Sequence, residues 1–112
     1  MPFDYHNDTI AAISTPSGLG GMAVIRISGP GALSLALKCS TLENIEPRYA
    51  HFTQIYNSES LEIIDDVVLI FFKSPASYTG EDVVEISCHG GYAAAPAILS
   101  LLYDRGARPA LP

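Results

Sequence analysis

Cysteine occurs only twice in these 112 residues and basic side chains only six times. Each scarcity closes off a class of protein. Cys39 and Cys88 are too few for a disulfide framework, and no CxxC pair marks a zinc site. Six basic against twelve acidic side chains leave a net charge of −6. Such a surface repels phosphate backbones, which makes this stretch a poor grip for nucleic acid. The longest apolar run, "VVLIFF", is far short of the roughly 20 residues that cross a bilayer, so no membrane association is expected. The opening residues show no basic segment leading into a long apolar one, so no signal peptide is expected either. A reducing cytoplasm is the expected location, and there are no repeats or low-complexity tracts.

Apolar material is plentiful by contrast. Hydrophobic residues make up 48% and charged ones 16%, enough for the core of a single domain. "DTIAAIST" (8–15) and "MAVIRIS" (22–28) read as strands, joined by the glycine-rich "PSGLGG". "GPGALSLALKCS" (29–40) reads as a helix, with Ser28 near its cap and Pro30 in its first turn. Residues 49–56 and 61–73 read as a hairpin around "NSES". Within it, residues 67–72 lack alternation, the pattern of a strand covered on both faces. "EDVVEISCH" (81–89) is a further strand. "YAAAPAILSLLYDRG" (92–106) is a helix stopped by Gly106, in which Pro96 either delays the start to about Ala95 or kinks the first turn. "ARPALP" is the approach to another strand. The expected fold is α+β, with a mainly antiparallel or mixed sheet of about five strands and two or three helices.

Three candidate sites stand beside plainer readings. Gly18, Gly20 and Gly21 invite a phosphate-loop reading, but a strand follows where a helix N-terminus is needed, and no Gly-Lys-Ser/Thr is present. A loop needing positive φ explains them better. Cys88 and His89 suggest a thiol hydrolase or a metal pair, yet neighbours on a strand point to opposite faces. Cys88 shares its phase with Val84 and Ile86, the phase of a small core residue. The other phase, Glu81, Val83, Glu85, Ser87 and His89, forms a polar stripe, for which plain solvation is the competing reading. Arg26 interrupts an apolar strand, and an arginine there calls for a carboxylate partner. Glu81 or a ligand could fill that role.

"DTIAAISTPSGLGGMAVIRISGP", "SYTGEDVVEISCHGG" and "RGAR" occur in the order and spacing found in the N-terminal domain of the MnmE (TrmE) family of tRNA modification GTPases, which the chain resembles over nearly its whole length. The resemblance implies a domain similar to the folate-binding domain of glycine-cleavage T-protein. Such a domain binds 5-formyl-tetrahydrofolate or a related reduced folate and pairs with its own copy as a homodimer. It also implies that Arg26 and Glu81 contact the folate, with no catalytic or metal-binding residue in this stretch. A further folate contact in the family is a lysine in a segment resembling "GEFTKRAFLNGK", beyond residue 112. The helical and GTP-binding domains, with GTP, magnesium and potassium, are expected in a longer parent, of which residues 1–112 look like a fragment. The parent is expected to work with an MnmG-type flavoprotein on the wobble uridine of certain tRNAs. The alternative is a purely structural dimerisation module without useful folate affinity.

Overall fold

In the computed structural model, residues 8–14, 21–77 and 79–110 are described. Six strands and two helices follow the order β1 (Ile10–Ile13), β2 (Met22–Ser28), α1 (Ala32–Lys38), β3 (His51–Tyr56), β4 (Ile63–Phe72), β5 (Val83–His89), α2 (Ala94–Asp104) and β6 (Arg108–Pro109). They form one mixed sheet in the order β3-β4-β5-β2-β1-β6, antiparallel except where β6 joins β1. The α+β expectation holds, and "ARPALP" does begin a short sixth strand. Of the glycine-rich connection only Gly21 is described; Gly18 and Gly20 lie outside the described residues.

Both helices pack on one face of the sheet. Ala23, Ile25 and Ile27 of β2, Val67, Leu69 and Phe71 of β4, and Val84, Ile86 and Cys88 of β5 join a single core with α1 and α2. Ile98 and Leu102 of α2 and Ala36 of α1 are fully buried against it. Among the described residues, the opposite face carries no helix. Within this chain, residues 67–72 are covered by helices on one side only. Val67, Leu69 and Phe71 are buried, but Val68, Ile70 and Phe72 are only half-buried. Apolar content on both phases records the chemistry of the two faces, while coverage depends on how many layers the chain can supply.

The helix ends refine the expected boundaries. Gly31, not Ser28, caps α1, and its N–H is satisfied from outside by Thr9 Oγ1 at 2.9 Å. Pro96 is the third residue of α2, inside the first turn, where a missing N–H removes no helical bond. At the far end Gly106, with φ of +123°, donates to Tyr103 O at 3.2 Å, and Ala107 to Leu102 O at 3.0 Å. That pair of bonds is the Schellman stop that the glycine predicted.

Candidate functional site

The uncovered face positions the polar residues singled out in the sequence. Side chains alternate along a strand, so with Ile25 and Ile27 in the core, Arg26 and Ser28 turn to the open face. With Val84, Ile86 and Cys88 in the core, Glu85, Ser87 and His89 join them there. The antiparallel register sets Arg26 opposite Glu85 and Ser28 opposite Val83. Arg26 Nη2 donates to Glu85 Oε2 at 2.5 Å and Nε to the same oxygen at 3.0 Å. The carboxylate that grips Arg26 is therefore Glu85, where the sequence had offered Glu81 or a ligand.

Glu81 is held next door. The loop between β4 and β5 closes over the end of β2, where the buried Ser28 hydroxyl donates to Glu81 Oε2 at 3.1 Å. That spends the hydroxyl's single proton, so at 2.9 Å Thr79 must be the donor to Ser28 Oγ. Thr79 Oγ1 in turn accepts the Glu81 N–H at 3.3 Å. The three residues thus close a small ring of bonds around the carboxylate. Gly29 N donating to Asp82 O at 2.9 Å, Ser74 N to Asp82 Oδ1 at 2.8 Å, and Ser77 Oγ to Glu81 O tie the loop down further. Glu81 itself is exposed, and its second oxygen, Oε1, has no partner among the described residues. It borders a cleft of about 330 Å³ lined by Pro30, Ser74, Gly80, Glu81 and Asp82. Tyr78 of this loop is outside the described residues.

Ser28, two residues along β2 from Arg26 and in the same strand phase, holds Glu81, but Arg26 does not line the cleft beside Glu81. Chemically the strip offers an oriented guanidinium, a carboxylate with an open oxygen, and apolar neighbours in Val24 and Ile70. Sequence reasoning did not single out Ser28, whose hydroxyl looked like a helix cap. The only signal for it was its phase with Arg26. It also did not anticipate Asp65, whose carboxylate takes the His89 N–H at 2.8 Å and meets His89 Nδ1 at 2.7 Å.

Both thiols lie in the core. Burial pushes the Cys88 thiol up, and the nearby Asp65 carboxylate pushes it further. Its side chain lies in the core, 3% exposed, on the face away from His89. Thiolate chemistry needs the opposite environment. Among the described residues, no group of His, Cys, Asp or Glu could hold a metal ion, and no helix is long and apolar enough to cross a membrane.

Residues 9–112 match the family model described as the GTP-binding protein TrmE N-terminus. The tRNA modification GTPase MnmE of a Nitratiruptor species is 51% identical over 107 residues, covering 96% of this chain and 24% of that protein. MnmE of a Sulfurovum species is 47% identical over 105 residues, covering 94% and 23%. MnmE of Campylobacter concisus is 46% identical over 106 residues, covering 95% and 24%. The chain spans about a quarter of the length of the curated relatives it matches.

Proposed function

The chain belongs to the family of TrmE N-terminal domains, and from that premise we propose that it is the reduced-folate-binding and dimerisation module of a tRNA wobble-uridine-modifying GTPase. The observation that carries the folate reading is Glu81, anchored through one oxygen by Ser28 and open at the other, with Arg26 two residues from Ser28 in the same strand phase. A pterin presents adjacent N–H donors that suit a carboxylate, and its glutamate tail suits a guanidinium. The 330 Å³ cleft beside Glu81 lies in the size range of small-molecule sites. The residues present therefore fit such a cofactor, and likeness to the T-protein folate domain belongs to the same reading. A bound formyl-type folate would supply the one-carbon unit. This chain's part is to orient it with Arg26 and Glu81 at the edge of the sheet.

Dimerisation rests on a separate observation. Met22 and Phe52 stand 63% and 73% exposed on the helix-free face, next to half-buried Val68. A second copy across a two-fold axis is the commonest way to cover such a surface. The same patch would equally serve a module that dimerises without binding folate. GTP hydrolysis with magnesium and potassium, and work with a flavoprotein partner and tRNA in the cytoplasm, belong in this proposal to the longer parent.

Calorimetric titration of 5-formyl-tetrahydrofolate into this chain and into one extended beyond residue 112 separates the readings. Saturable binding is expected, weakened by about 1.5–3 kcal/mol in Arg26→Ala and in Glu81→Ala, the value of a charge-assisted hydrogen bond. Unchanged affinity in both variants would place the pocket elsewhere. Binding to the longer form alone would leave this stretch the structural role.

A further inference from the structure

On the helix side of the sheet, away from the open face, a second cleft of about 170 Å³ runs along the outer edge of α1. Gly31, Ser34 and Lys38, spaced i, i+3 and i+7 along that helix, form one wall, and Thr9 with Arg105 and Gly106 forms the other. It shares no lining residue with the cleft beside Glu81.

The polar groups here are of one kind. Thr9 Oγ1 already accepts the Gly31 N–H at 2.9 Å, so its own proton is available to donate. Ser34 is exposed and has no bonded partner among the described residues. Lys38 carries no ion-pair partner among the described residues. Arg105 Nη2 donates to Asn57 Oδ1 at 3.0 Å, and its Nη1 lies 3.5 Å from the exposed Glu59 carboxylate. Among the described residues no carboxylate lines the cleft, in a chain with twice as many acidic as basic side chains. The carbonyls at the end of α2, which would oppose an anion, are turned into the bonds that stop the helix. Nearby, burial pushes the Cys39 thiol up while Arg105 and then Lys38 pull it back.

We propose that the cleft formed by Thr9, Ser34, Lys38 and Arg105 binds a phosphoryl dianion. Two cations converging from opposite walls, with hydroxyl donors between them, suit a doubly charged tetrahedral group. A single planar carboxylate needs only one guanidinium fork. Inorganic phosphate is the probe, titrated at fixed ionic strength while the backbone amide resonances of Gly31, Ser34 and Gly106 are followed. Saturable shifts confined to these residues are expected. Lys38 is exposed, so Lys38→Gln should leave the rest of the spectrum in place and weaken phosphate about tenfold, the loss of one charged hydrogen bond. Lys38→Glu should abolish the response. Shifts that never saturate, or that persist in Lys38→Glu, would overturn the site. An equal response to acetate at the same ionic strength would overturn its phosphoryl character.

Discussion

Arg26 and Glu85 face each other across β2 and β5, and a single carboxylate oxygen takes two guanidinium bonds, from Nε at 3.0 Å and from Nη2 at 2.5 Å. A planar group held at two points cannot swing, so the pair sets the direction of every remaining donor on Arg26. Glu85→Gln should then weaken reduced-folate binding several-fold with no direct contact of its own. Arg26→Lys should fail to restore the affinity of the native arginine, because an ammonium offers no fork. Calorimetry on both variants decides this. Native affinity in Glu85→Gln would remove the positioning role.

Gly29 and Gly106 both adopt positive φ, +138° and +123°, but in different surroundings. A Cβ at Gly106 would meet nothing within 4 Å, whereas one at Gly29 would lie 2.5 Å from Asp8 O and 2.7 Å from Thr9 Cα. Gly106→Ala should cost about 1–2 kcal/mol from backbone strain alone. Gly29→Ala adds a backbone collision and should cost about 2–5 kcal/mol. Urea unfolding of the two variants gives the comparison, and equal losses would refute the assigned close approach of residues 8–9.

Both thiols are buried, and burial raises both from the ordinary value of 9.0. In the folded protein they should therefore react slowly with thiol reagents. The folded state keeps these protons at pH values where the unfolded chain has lost them. Its contribution to stability is thus complete below the ordinary thiol pKa and declines as pH rises through it. Replacing both by alanine should flatten the alkaline arm of the stability profile. Rapid labelling of Cys88 without unfolding would contradict the strand phase that puts Glu85 and Arg26 on the open face.

Sedimentation equilibrium at micromolar concentration should show a dimer. Phe52→Asp, a change on the exposed edge strand, should shift the chain toward monomer without loss of helical or sheet signal. A native monomer under these conditions would leave the open face to another occupant.

The face of each side chain was legible in the sequence wherever a strand alternates cleanly. Val84, Ile86 and Cys88 against Glu85, Ser87 and His89 is the clearest case, and Arg26 between two isoleucines is another. What was not legible is who sits opposite whom. Arg26 and Glu85 are 59 positions apart, and register between distant strands is set by packing of the whole sheet rather than by local pattern. Glu81 or a ligand was the partner expected for Arg26. In the fold the turn before Glu81 brings Ser28 within reach instead. The layer count was hidden for a similar reason, since Val68, Ile70 and Phe72 are as apolar as residues that a second layer would cover.

The parallel pairing of Ile10 with Arg108 has a consequence for synthesis. Arg108 N donates to Thr9 O at 3.0 Å, and its guanidinium meets the Asp8 carboxylate. The outer edge of β1 therefore waits for a partner made about a hundred residues later. At about 5–20 residues per second, the ribosome leaves that edge open for roughly 5–20 s. Until then Thr9 has its hydroxyl bond to the Gly31 N–H at the entry to α1 but no strand on its outer side. Whatever lies against β1 in that interval must release it before residue 108 can dock.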